Sequence, residues 1–112
     1  MRGFNLPVLA WLIFVGSALL EVAGDAVIRK GLRGSRLAMI VAGGLMLAGY
    51  GLLVNTVKWD FSKLLGVYVV IFALVSVSWG RFVFSENVPN STWLGLGIIV
   101  LGGLVIQFGH AN

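Results

Sequence analysis

Four long apolar runs separated by three short polar stretches make up almost the whole chain. The runs cover about 6–28, 37–57, 64–84 and 92–108, and each comes near or passes the ~20 mainly apolar residues that let a helix cross the hydrocarbon of a bilayer. None alternates apolar and polar residues with the period of two that membrane strands need. The pattern therefore predicts an all-α integral membrane protein whose four transmembrane helices form a single domain over 1–112.

Polar residues mark where each run stops. Pro7 stands in the first turn expected of the first helix, where a missing N–H costs little. Arg29, Lys30, Arg33 and Arg36, with Gly31 and Gly34 among them, read as a short interfacial loop before the second run. That run carries Gly43, Gly44, Gly49 and Gly51, small residues that let helices approach closely in lipid, with Asn55 and Thr56 near its end. The connection from Lys58 to Lys63 holds Trp59, an aromatic suited to interfacial depth. Tyr68, Ser76, Ser78, Trp79 and Arg81 lie in the third run, the last about one turn from its end. After the loop from Ser85 to Ser91, either Ser91 or Thr92 is expected to cap the fourth helix, Trp93 stands at its start, and His110 falls in the tail.

Composition and charge sharpen this picture. Of 112 residues 59% are hydrophobic and 11% charged, with a mean hydropathy of +1.01, values outside the range of soluble domains. The absence of cysteine excludes disulfides, thiolate metal sites and a cysteine nucleophile. The pI of 10.2 comes from cations placed between apolar runs rather than in one patch, which fits membrane orientation and not nucleic-acid binding. Glu21 and Asp25 would be unusual around a signal cleavage site near 23–26, so the first run is expected to be retained. Arg29, Lys30, Arg33, Arg36 and Arg81 fall on one side of the membrane and Arg2, Lys58 and Lys63 on the other. By the positive-inside tendency the majority orientation has the first loop in the cytoplasm and the termini outside, while the small bias leaves open an antiparallel homodimer, which needs both orientations.

Two acids in the first run matter most, because a carboxylate in hydrocarbon is disfavoured and rarely lacks a partner or a task. Ser17, Glu21, Asp25 and Arg29 recur every four residues and share one slowly drifting helix face. At ~1.5 Å per residue Glu21 lies about 12 Å from Arg29 and Asp25 about 6 Å, which sets Glu21 near the bilayer midplane and Asp25 near the interface. For Asp25 the spacing predicts an ion pair with Arg29, or with Lys30 or Arg33; a functional role is the alternative. For Glu21 the structural reading is a buried acid hydrogen-bonded to a Tyr, Ser or Trp of another helix. The favoured reading is functional, since carboxyl groups in apolar surroundings keep their protons toward neutral pH and then exchange them for cations.

Leu20-Glu21-Val22, Gly24, Arg29 and Gly34-Ser35-Arg36-Leu37 resemble the first helix and first loop of the small multidrug resistance transporters, including the spacing from the glutamate to the arginine before the second helix. Gly95 and Gly102, a heptad apart, resemble that family's glycine repeat for helix-to-helix dimerisation, with Gly103 beside them. Gly80-Arg81-Phe82-Val83-Phe84-Ser85-Glu86, with Trp93-Leu94-Gly95 and Leu101-Gly102-Gly103 downstream, resembles the wider drug/metabolite transporter superfamily. By that match Glu86 is the superfamily's structural loop acid after the third helix. The third helix departs from the multidrug pattern, since Leu64 to Phe72 offers only Tyr68 as an aromatic counterpart, and Asp25 stands where that family does not usually place an acid. Val22-Ala23-Gly24 with Arg29 and Lys30 is also similar to flippase subunits that move lipid-linked aminoarabinose, although those lack an acid at the position of Glu21.

The resemblance implies a proton-coupled exporter of cationic or polar small molecules, working in the bacterial inner membrane as a homodimer or with a similar small protein. Glu21 of each protomer would face a shared cavity where protons and substrate compete for it, with Tyr68, Trp79, Ser17 and Asp25 as further candidates. No cofactor, metal or nucleic-acid partner is expected. Nor is an enzyme, because a lone His in the tail and no clustered nucleophile leave little for catalysis. Two alternatives stay open: a carrier or flippase subunit for a lipid-linked sugar, and a non-transporting accessory subunit in which Glu21 pairs with a partner's cation.

Overall fold

The computed structural model describes the backbone of residues 2–109 and the side chains of 8–109; the side chains of Arg2 and Pro7, and His110 in the tail, lie outside the described residues. Four helices account for nearly all of it: α1 (Arg2–Arg33), α2 (Leu37–Val54), α3 (Phe61–Phe82) and α4 (Asn90–Phe108). No strand occurs among the described residues, and all four helices are long and apolar enough to cross a membrane. They group into two compact units, Met1–Lys58 and Trp59–Asn112, each a helical hairpin.

In the first hairpin α1 does not stop at Ile28 as the apolar run does. It continues through Arg29, Lys30 and Arg33, because arginine and lysine are good helix formers and cations in a last turn complement the negative end of the helix dipole. The interfacial loop expected over 29–36 therefore shrinks to Gly34, Ser35 and Arg36. Arg36 N–H donates to the Gly31 carbonyl at 2.8 Å and Gly34 N–H to the Lys30 carbonyl at 3.0 Å, while Ser35 takes the left-handed conformation at φ 55°. Wrapping the chain back to the carbonyl of Gly31 is the closure that helix C-termini favour, with a serine where glycine is usual.

So short a turn forces α2 back antiparallel along α1, and glycines set the distance. A Cβ on Gly43 would stand 2.5 Å from Ile28 Cγ1 and 2.7 Å from the Gly24 carbonyl oxygen. Farther from the turn Gly49 lies against Leu20, and Gly16 against Leu53. The helix ends at Val54 rather than Val57. Asn55 Nδ2 donates to the Gly51 carbonyl at 2.8 Å and Thr56 Oγ1 to the Leu53 carbonyl at 2.6 Å, so these side chains add to the backbone bonds that the Asn55 and Thr56 N–H groups make to the same carbonyls.

The second hairpin starts earlier than its hydropathy indicates, at Phe61 rather than Leu64. The Leu64 N–H closes the first turn on the Asp60 carbonyl at 2.8 Å, and the Lys63 ammonium lies 4.6 Å from the Trp59 ring centroid, where the ring face offsets its charge. At the other end α3 stops at Phe82, and Ser85 at φ 56° turns the chain so that Glu86 N–H donates to the Gly80 carbonyl at 2.9 Å. Neither Ser91 nor Thr92 caps α4: the N-cap is Pro89, at φ −68° and ψ 158°, and no side chain caps that end. Proline presets the extended conformation an N-cap needs, so the helix starts two residues earlier than expected. Gly66 packs against Ile106, and Gly103 against Val70. Large apolar side chains such as Leu45, Leu52, Leu101 and Val105 stay exposed, as surfaces meant for lipid require.

Candidate functional site

Glu21 stands at the middle of the 26-residue stretch Val8–Arg33 and is half-buried. One turn earlier, Ser17 is 0% exposed and its Oγ has no hydrogen-bond partner among the described residues. A hydroxyl buried without a partner is costly, and such a group calls for an explanation. Ala18 and Val22 beside it are also buried, so the surroundings of Glu21 on its own helix are apolar apart from Ser17 one turn before it and Asp25 one turn after.

The hairpin register adds a group that sequence reasoning did not single out. Leu20 meets Gly49 across the hairpin, and Tyr50, beside Gly49 on α2, lies within the electrostatic reach of Glu21. Both residues have interaction partners. A carboxylate and a phenol on facing helices, with a buried hydroxyl one turn away, form a small polar site inside an apolar hairpin. Such a site can hold a proton or a cation, since the phenol and hydroxyl can each donate to the carboxylate or accept from a bound cation.

Asp25 is different. It is exposed and forms no salt bridge with Arg29, Lys30 or Arg33 among the described residues, contrary to the ion pair that its spacing predicts. An exposed pair is worth only about 0–1 kcal/mol and must hold two mobile side chains in one geometry, so solvated separate charges compete well.

The remaining candidates belong to the second unit. Tyr68 is 4% exposed with its ring centroid 6.5 Å from that of Phe72. Trp79 is half-buried, and its Nε1 has no hydrogen-bond partner among the described residues. The eleven-residue step from one to the other on α3 separates them by about 16 Å along the axis, so the structure does not bring these two aromatics together. Gln107, unremarked in the sequence, carries a buried side-chain oxygen that is also without a partner among the described residues; a lone amide late in an apolar run was its signal. Gly95 and Gly102 point their Cβ directions into open space, whereas Gly103 is buried against Val70 inside the hairpin. Glu86 lies just past α3, its carboxylate over Gly80. Among the described residues no three His, Cys, Asp or Glu side chains group as a metal site would.

A family model described as "Uncharacterised BCR, YnfA/UPF0060 family" matches residues 8–112. The chain is 32% identical over 106 residues to a UPF0060 membrane protein of Nocardia farcinica, a match that covers 92% of this chain and 96% of the relative. It is 32% identical over 101 residues to one of Pseudomonas paraeruginosa, covering 88% and 93%. It is 29% identical over 99 residues to the UPF0060 membrane protein YfjF of Bacillus subtilis, covering 87% and 91%. No solved structure matches the chain. Four membrane-crossing helices and relatives named as membrane proteins agree with the family match: the chain belongs to the YnfA/UPF0060 family, a family of small membrane proteins.

Proposed function

We propose that the chain is a proton-coupled exporter of cationic or polar small molecules, working as a dimer in the bacterial inner membrane in the manner of the small multidrug resistance transporters that its first helix resembles. The observation that carries this reading is Glu21, a carboxylate at the middle of a membrane-crossing helix with Tyr50 facing it and an unpartnered Ser17 hydroxyl one turn away. A proton and a cation compete for one carboxylate, so loading of either releases the other, and alternating exposure of the site turns that competition into exchange. Two hairpins hold few polar groups, whereas a pair of chains supplies two carboxylates and two repeats that can alternate about a shared site. Gly95 and Gly102, with nothing near their Cβ directions, leave a flank of α4 free for close approach of a second chain.

Transport in proteoliposomes under an imposed pH gradient tests the reading, with a panel of organic cations as substrates. Glu21→Gln keeps the shape of the side chain but cannot ionise, and is expected to abolish pH-dependent transport while the helical content stays as in the wild type. Glu21→Asp is expected to retain exchange with its pH optimum shifted down. Undiminished pH-dependent transport in Glu21→Gln would sink the reading.

A further inference from the structure

Beyond Glu21, a second carboxylate stands at the opposite end of the fold's logic, outside the membrane-crossing helices. Between the last turns of α3 and the start of α4 lies a cavity of about 230 Å³, open to the outside, whose polar lining consists of Ser76, Glu86, Asn87 and Thr92 and whose loop wall includes Val88 and Pro89. Glu86 is fixed there twice. Its N–H donates to the Gly80 carbonyl at 2.9 Å, and its Oε1 fills the space that a side chain on residue 80 would take, 2.5 Å from where a Cβ would stand. The carboxylate itself has no hydrogen bond or ion pair among the described residues. Arg81, the nearest cation in sequence, lies over the Phe82 ring at 5.6 Å and leaves it unneutralised.

We propose that this cavity binds a primary ammonium group, with Glu86 as its counter-ion and the side chains of Ser76, Asn87 and Thr92 as acceptors for the remaining N–H groups. An ammonium has three donors and no acceptor, and the cavity offers one charged acceptor and three neutral ones, enough to satisfy all three donors. Charge-assisted hydrogen bonds to an ionised acceptor are about twice as strong as neutral ones, which makes Glu86 the dominant contact. Phe82, Val83 and Phe84, which lead into the loop that carries Glu86, are exposed and give this end of the hairpin an apolar platform. The ammonium therefore comes from one of two sources, a free amine in water or an ethanolamine lipid headgroup whose chains lie along that platform.

The test uses the full-length, 15N-labelled protein in nanodiscs and follows the amide signals of Asn87 and Thr92. In phosphatidylcholine nanodiscs, ethanolammonium chloride added at constant ionic strength is expected to give a saturable shift, and tetramethylammonium, which cannot donate, a weaker one. In a second arm phosphatidylethanolamine replaces part of the phosphatidylcholine. Saturable shifts with the free amine identify that source, and shifts on lipid exchange alone identify the headgroup; either supports the site. Glu86→Gln is expected to weaken binding at least about tenfold, and Gly80→Ala to weaken it by displacing the carboxylate. Should Gly80→Ala disturb α3, Glu86→Gln alone decides. Glu21→Gln leaves this binding intact, so failure here and failure of the transport reading are separable. No saturable shift in either arm, or equal affinity in Glu86→Gln, overturns the proposal.

Discussion

In the α1–α2 hairpin Gly24, Gly31 and Gly43 meet backbone as well as side chains, whereas in the α3–α4 hairpin Gly66 and Gly103 meet only branched side chains. Gly43 sits against the Gly24 carbonyl oxygen and the Ile28 N–H as well as the Ile28 side chain, and Gly31 against the backbone of Arg36 and Ile40. Gly103 and Gly66 instead receive the methyl groups of Val70 and Ile106. Backbone cannot rotate out of the way, but a side chain can change rotamer, even if valine does so reluctantly. The hairpin that carries Glu21 is thus locked in register by its closest contacts, while the other is packed through parts that can yield. A group that must exchange a proton reproducibly gains from the stiffer setting.

That contrast breaks most readily at Gly43. Gly43→Leu drives a branched side chain into backbone, and is expected to destabilise the first hairpin by about 3 kcal/mol or more, read as a lowered midpoint for unfolding of the full-length protein by SDS in mixed micelles. An unchanged midpoint would show that the hairpin can open without cost. Gly103→Ala should be milder, about 1–2 kcal/mol, and adding Val70→Ala should restore most of the loss because it removes the methyl groups the new Cβ meets. If the double variant is no better than Gly103→Ala, the second hairpin is as unyielding as the first and the contrast fails. Gly95→Leu and Gly102→Leu sharpen it from the other side. Their Cβ directions are open, so unfolding midpoints should stay within about 0.5 kcal/mol of wild type, whereas cysteine crosslinking between chains in liposomes should fall. Crosslinking equal to wild type in both would remove α4 from the dimer interface.

Helix number and type were legible because apolar runs near membrane length leave few other solutions. The limits of those helices were less so, and each miss has a physical cause. Hydropathy counts charge, not helicity, so it cut α1 at Ile28 although its cations continue the helix; the same bias put Phe61, Ser62 and Lys63 outside α3. Glu21 was legible as the deeper of two acids in an apolar run, and Tyr50 was not, because nothing in its neighbours marks it. The sequence did contain the means to find it. A turn centred near residue 35 pairs positions whose numbers sum to about 70, and on that arithmetic Glu21 faces Gly49 and Tyr50. Trp79 and Tyr68 were grouped as candidates because both are aromatic, a criterion blind to the ten residues of helix between them.

The unequal lengths of α1 and α2 make their hairpin a gauge of bilayer thickness. Val8–Arg33 has 26 residues and α2 has 18, which at ~1.5 Å per residue is about 39 Å against 27 Å, one longer and one slightly shorter than hydrocarbon of ~30 Å. A longer helix relieves mismatch by tilting, but the turn of Gly34, Ser35 and Arg36 couples the two, so α1 cannot tilt without carrying α2. Thick membranes favour the upright hairpin and draw the far end of α2 inward. There Asn55 and Thr56 are already bonded back to their own helix and tolerate lower polarity. Thin membranes favour the inclined hairpin and bring Glu21 closer to headgroups, so lipid chain length becomes a variable that sets how dry its carboxylate is.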